Sequence, residues 1–169
     1  MTKRWVYSDP HYFHKNIIKY DDRPFDSVEE MNEYMIKMHN KYIGKRDKVI
    51  IAGDFALTNQ EQTKLILEQL YGYKILIPGN HDRGRSRTWW LAAGFDEVIN
   101  FPIIVNDFFI ISHEPVYVNQ HMPYLNIHGH THTNELNKDR YINACLNVND
   151  YIPLDLDQLI EKYKKLAEE

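Results

Sequence analysis

At 169 residues, 43% of them hydrophobic and 26% charged, the chain has the size and balance of one soluble globular domain, spanning 1–169, with a core of its own. A formal charge of -4 excludes the broad basic face that drives non-specific nucleic-acid binding, although bound divalent cations can invert the local field and leave a nucleic-acid substrate open. The lone cysteine, Cys145, has no internal partner, no apolar run approaches the roughly 20 residues that span a bilayer, and strand-like Arg4-Trp5-Val6-Tyr7 leaves no room for a secretory leader, so the expected location is cytoplasmic.

In chain order, Trp5–Ser8 reads as a short buried strand. Ser27-Val28-Glu29-Glu30 is a capping box that opens a helix through Met31, Met35, Met38 and Tyr42, closed at Gly44. Lys48–Ala52 is a second strand, running into Gly53-Asp54. Asn59 caps a helix through Leu65, Leu67 and Leu70 that ends at Gly72, and Lys74–Ile77 is a third strand broken by Pro78-Gly79. A helix over Thr88–Ala93 stops at Gly94. Glu97–Ser112 is strand-like with Asn106-Asp107 as a hairpin turn, and Leu125–His128 and Tyr141–Asn147 are further strands. Leu156, Leu159, Ile160, Tyr163 and Leu166 share one face of a closing amphipathic helix. A β-α-β rhythm followed by consecutive strands predicts a layered α/β domain, partly parallel and partly antiparallel.

Nine histidines are the unusual count, and they are placed rather than scattered. Five polar clusters each follow an apolar strand-like run: Asp9-Pro10-His11, Gly53-Asp54, Gly79-Asn80-His81-Asp82, Ser112-His113 and Gly129-His130-Thr131-His132. The carboxyl ends of strands are where α/β sheets form ligand sites, so five such ends imply one pooled site. In extended chain, residues i and i+2 project together, so Asp9 with His11, and His130 with His132, each offer two ligands in one direction. Carboxylate, amide oxygen and imidazole suit Mn, Fe, Zn or Ni, and about seven donors exceed the four of a closed structural zinc site, which argues for two divalent ions. Taken singly, Asp-x-His and Gly-Asp also occur in plain turns, and His113 suits a core position. The ordered set carries the reading.

That set, Asp9-x-His11, Gly53-Asp54, Gly79-Asn80-His81-Asp82, His113 and Gly129-His130-x-His132, resembles the signature of calcineurin-like metallophosphoesterases. Ser8-Asp9-Pro10-His11 together with Arg23-Pro24-Phe25 is similar to a compact, single-domain bacterial and phage-borne subgroup. The resemblance implies a four-layer α/β/β/α sandwich of two mixed sheets with flanking helices and a dinuclear centre at one edge. It implies one ion held by Asp9, His11, Asp54 and His132 and the other by Asp54, Asn80, His113 and His130, with Asp54 shared and manganese the favoured metal. His81 then contacts the phosphoryl group, with Asp82 orienting its ring, while a water shared by the two ions attacks phosphorus.

Other residues carry weaker expectations. Arg83, Arg23 and His14 are candidates for contacting a substrate phosphate, and His14 suits an exposed surface as readily. His128 is read as supporting the site or packing in its strand, His39 and His121 as structural or solvated. Trp89-Trp90 and Met122-Pro123-Tyr124 suit a nucleobase or a core. The expected activity is a phosphodiesterase on small or nucleotide-like phosphate esters. A phosphomonoesterase, a nuclease and a non-catalytic scaffold on the same fold are the alternatives.

Overall fold

The structure, a computed structural model, describes residues 2–168, with side chains through Tyr163. Strand β1 (Arg4–Tyr7) alternates its faces: Trp5 and Tyr7 enter one buried cluster, Val6 another. Strand β2 (Lys48–Ile51) repeats the pattern with Val49 and Ile51 against Ile50 and pairs in parallel with β1. Strands β3 (Tyr73–Leu76) and β4 (Glu97–Val98) extend this sheet in parallel, and β9 (Leu154–Asp155) closes its other edge antiparallel to β1. Both faces are covered, which is why β1 and β2 read as unbroken apolar runs.

One face lies under helices α1 (Ile17–Tyr20), α2 (Val28–Tyr42), α3 (Gln60–Gln69) and α4 (Arg87–Ala93), which contribute Ile17, Met31, Met35, Leu67 and Trp90 to a core shared with Phe55 and Phe95. Trp90 is fully buried, so truncating it to alanine would cost about 3–5 kcal/mol. The other face meets a second sheet of β5 (Ile103–Val105), β6 (Phe109–Ser112), β7 (Leu125–His128) and β8 (Tyr141–Asn143), in that order. Strand β5 is antiparallel to β6, and β6, β7 and β8 are parallel. Helix α5 (Leu156–Glu168) adds Leu156 and Ile160 to the core between the sheets; Leu166, expected on the same face, lies outside the described side chains. Two mixed sheets with flanking helices are therefore the architecture, as expected. Among the described residues no helix is long and apolar enough to cross a membrane.

Local details follow their residues, with five departures, one being that α3 stops at Gln69 because Leu70 is already extended, so Gly72 is not its terminator. Ser27 accepts from the Glu30 N–H, but the Glu30 carboxylate reaches back to the N–H of Asp26, one residue before the cap. Helix α2 ends because Ile43 is already extended, so Gly44 is not its terminator. The strand-like stretch 97–112 divides, since β4 completes the first sheet and β5 and β6 belong to the second. The stretch 141–147 leaves the sheet after Asn143 and tightens into a 3-10 turn at Leu146–Val148. At the hairpin, Asn106 and Asp107 both take positive φ (56° and 55°), within a connection of residues 106–108 that lets Val105 pair with Phe109.

What positions the site is register. Tyr7, Ile51 and Leu76 align across the first sheet, and Ser112, His128 and Asn143 across the second. All the chemistry-bearing turns therefore leave at one edge. A parallel bridge between Ser8 and Cys145 joins the two sheets there, with the Ser8 N–H donating to the Ala144 carbonyl at 2.8 Å.

His39 on α2 is buried between the Tyr7 hydroxyl (Nδ1, 3.2 Å) and the Tyr71 carbonyl (Nε2, 2.8 Å). A carbonyl only accepts, so Nε2 carries the proton and Nδ1 accepts from Tyr7 in the neutral ring. Burial pushes its pKa from 6.5 down to about 4. Between those values the unfolded chain takes up a proton that the folded chain refuses, so the stability from neutral His39 is full above the unfolded pKa and is lost as pH falls. Urea unfolding of the wild type and of His39→Gln, at about pH 7.5 and about pH 5, should show the acid penalty smaller in the variant by about 2 kcal/mol. Equal penalties in the two proteins would show that His39 does not titrate on unfolding.

Candidate metal centre

Five ligand-type residues sit in turns beyond the strand ends in left-handed backbone: Asp9 (φ 55°), His11 (53°), Asp54 (52°), His130 (67°) and His132 (48°). The extended i, i+2 projection expected for 9/11 and 130/132 is thus replaced by tight turns, because the strands end at Tyr7 and His128. Each such residue costs about 1 kcal/mol or more, and strain of this kind collects at functional sites. Main-chain N–H groups hold the turns: Asp9 N–H donates to the Gly53 carbonyl (3.1 Å), His11 N–H to the Asp54 carbonyl (3.0 Å) and His130 N–H to the side-chain Oδ2 of Asp9 (2.9 Å). A Cβ on Gly79 would lie 2.2 Å from Asp54 Oδ1, and one on Gly129 2.3 Å from Asp9 Oδ2, so neither position accepts a side chain.

The turns bring two groups together. In the first, His11 Nε2 and His132 Nε2 lie 3.7 and 3.6 Å from Asp9 Oδ1. These separations exceed hydrogen-bond reach, and both Asp9 Oδ1 and His11 Nε2 are buried with no hydrogen-bond partner. Donors that share one ion at about 2.1 Å stand roughly 3–4 Å apart, so a cation among these three atoms would satisfy them all. In the second group, His113 Nδ1 lies 2.9 Å from the Ala52 carbonyl and must donate to it. In the neutral ring, Nε2 then presents a lone pair 2.9 Å from Asn80 Oδ1 and 3.5 Å from Asp54 Oδ2, so three acceptors converge. His130 Nδ1 also lies 2.9 Å from Asn80 Oδ1 and groups with Asp54 and His113. The donor sets fit two divalent ions, and Asp54 Oδ2, 3.7 Å from His11 Nε2 as well, faces both groups.

The electrostatics agree. Burial alone would raise the Asp9 carboxyl, but the imidazoles of His11, His113 and His132 overcome it and hold it well below the usual carboxylate range. His11 is pushed down chiefly by burial. His132 is raised: burial opposes its charge, and the hydrogen bond to Asp21 with the Asp9 charge prevails.

His81 stands at the open side, with its side chain 43% exposed, Nε2 3.9 Å from Asp54 Oδ2, and its own N–H donating to Asp54 Oδ1 at 2.9 Å. Asp82 does not orient that ring. Its carboxylate is buried below the turn and accepts from the N–H groups of Gly79 (2.9 Å) and Phe55 (3.1 Å), because those two donors point inward where no water reaches. Burial, helped by the nearby Asp54 charge, pushes its pKa up to about 7 against those two bonds.

Both arginines are engaged by the protein itself. Arg23 is buried, binding the carbonyls of Asp9 and Pro10 (2.9 Å each) and the Asp21 carboxylate. Arg83 is exposed but paired with Glu114 at 2.5 Å. His14 does reach the mouth, its Nδ1 3.3 Å from His11 Nδ1 and its ring 6.0 Å from that of His81. His128 is buried against Tyr141 and the Gly129 carbonyl, and Trp90 is core. Sequence reasoning missed Asp21, whose Oδ2 lies 2.8 Å from His132 Nδ1, and Cys145, whose thiol donates to Asp9 Oδ2 at 3.1 Å. The Asp21-x-Arg23 spacing, an acid beside a base in a loop following the first motif, was the available signal for the former; a lone buried thiol gave none for the latter.

Comparison with known proteins agrees with this arrangement. The family model described as calcineurin-like phosphoesterase matches residues 2–167. An uncharacterized protein of Methanocaldococcus jannaschii is 35% identical over 177 residues, covering 98% of this chain and 93% of the relative. A crystal structure of a protein of unknown function from Aquifex aeolicus superposes with a TM-score of 0.76 at 26% identity, covering 96% of this chain and 100% of that one. The chain belongs to the calcineurin-like phosphoesterase family.

Proposed function

We propose that the protein is a two-metal phosphodiesterase acting on small or nucleotide-like phosphate esters. The observation that carries this reading is Asp54 Oδ2, which faces both donor groups beneath the open ring of His81. Asp9, His11, Asp54 and His132 would hold one ion and Asp54, Asn80, His113 and His130 the other, with manganese favoured. When bound, such ions supply Lewis acidity to the phosphoryl oxygens and activate the attacking water.

The chain's own residues supply the rest. His81 is the exposed titratable ring over the reacting position, and it hydrogen-bonds or protonates the leaving oxygen through Nε2. Asp82 keeps the Gly79–Asp82 turn closed so that the His81 backbone stays tied to Asp54. The preference for a diester draws on the arginines. With Arg23 buried and Arg83 held by Glu114, neither offers an unpaired guanidinium to the second charge of a monoester dianion.

Hydrolysis of an aryl phosphodiester and an aryl phosphomonoester with Mn²⁺, then with chelator, tests the reading. The diester should turn over faster, and chelation should abolish both rates. Faster monoester turnover would reverse the preference, and inactivity of the loaded protein on either ester would favour a scaffold. His81→Ala should retain both ions yet lose about 10²–10⁴ in kcat on an alkyl ester, whose poor leaving group needs the proton most. An unchanged kcat there would remove His81 from the reaction. Asp54→Asn should lower metal content at both positions by elemental analysis; two tightly held ions per chain would contradict its shared role.

A further inference from the structure

We infer that Asp21 and Arg23 form a positioning clamp for the ion position of Asp9, His11 and His132, leaving the position of Asp54, Asn80, His113 and His130 to other supports. The inference rests on the two-metal reading above.

Asp21 Oδ2 lies 2.8 Å from His132 Nδ1. An ionised carboxylate can only accept, so in the neutral ring the proton sits on Nδ1 and Nε2 is left with its lone pair toward Asp9 Oδ1, 3.6 Å away. Without Asp21 the neutral ring is free to carry its proton on Nε2, where it would repel a cation. The same Asp21 oxygen accepts from Arg23 Nε at 3.2 Å and Nη2 at 3.0 Å. The fork then continues, with Nη2 donating to the Asp9 carbonyl and Nη1 to the Pro10 carbonyl, both at 2.9 Å. One buried guanidinium therefore ties the acceptor behind His132 to the turn that carries Asp9 and His11.

That turn needs an external hold, because both of its ligand residues are left-handed. In the second donor group the His113 ring and the Asp54 carboxylate draw on different partners, the Ala52 carbonyl and the His81 N–H, and only the His130 main chain bonds back to Asp9 Oδ2. A buried Asp–Arg pair is poor evidence of a stabilising contact, since desolvation offsets most of the attraction. Positioning explains its presence better. Partners behind a metal-ligating histidine typically account for about 10–100-fold in metal affinity.

Calorimetric titration of Mn²⁺ into metal-free protein, with electron paramagnetic resonance to read the coupled ion pair, tests the clamp. The wild type should bind two ions with spin coupling. Asp21→Asn should hold one ion at the wild-type Kd, bind the other about 10–100-fold more weakly, and lose the coupling at limiting metal. Arg23→Lys, which keeps the charge but not the fork, should weaken the same ion. In the metal-free wild type at alkaline pH, ring ¹⁵N shifts should report the Nδ1–H form of His132, and Asp21→Asn should shift the population toward Nε2–H. Wild-type affinities in both variants, or equal weakening of both ions, would overturn the clamp, as would an Nε2–H ring in the wild type. A wild type that binds no ion pair would instead overturn the metal reading beneath it.

Discussion

Two carboxylates, Asp9 and Asp54, are buried at the edge where the strands end, with too little positive charge around them, and the surrounding chain is arranged about that deficit. Taking one such anion out of water costs several kcal/mol unless it is paired. Here the available partners are imidazoles and backbone N–H groups, and they leave Asp9 Oδ1 unsatisfied in the folded chain. An ordinary core would not tolerate this. It is tolerated because the same oxygens are shaped to receive cations, so apo stability is given up for affinity. Metal binding should accordingly stabilise the fold as well as enable chemistry.

The scaffold meets the demand by separating rigidity from reactivity. The first sheet is held by apolar alternation up to Tyr7, Ile51 and Leu76, while the second also buries the Asn126 amide of β7, which donates to the Ile110 carbonyl and the Ser112 hydroxyl. Immediately beyond, the turns are polar, those carrying Asp9, Asp54 and His130 are strained, and they are fixed largely by bonds to a neighbouring turn. Asp9 leans on Gly53, His11 on Asp54, His130 on Asp9 and Gly129 on the His113 carbonyl. The turns are therefore braced against one another through their main-chain N–H groups.

Much of this was legible in the sequence because strand periodicity and the placement of Asp, Asn and His after apolar runs are local signals. The layered α/β domain and the strand ends at which the donors gather rest on such signals, whereas the pair of sheets and the separate role expected of His81 came from the resemblance of the ordered motifs to a family. The misjudged residues depended on long-range geometry. Arg23 looked like a phosphate ligand because a guanidinium in a polar segment usually is solvated; only the fold places it beneath the Asp9 turn. Asp82 looked like a partner for its neighbour, yet its two closest donors come from Gly79 and from Phe55 on a different turn. Left-handed backbone at Asp9, His11, Asp54, His130 and His132 was invisible because only glycine announces it, and the residues here are tolerated in that region without being diagnostic of it.

That backbone also narrows the evolutionary exits from this fold. A lineage that no longer needed metal could not simply fill His11 or His132 with valine or isoleucine, since β-branched side chains resist positive φ however well they would suit the vacated space. The routes open to it run through glycine, asparagine and aspartate, residues that still bind water or ions. Drift away from hydrolysis would then tend to end in a polar, ion-accessible cleft rather than a sealed hydrophobic one, and the descendants would keep the imprint of the ancestral site in their main chain long after losing its ligands.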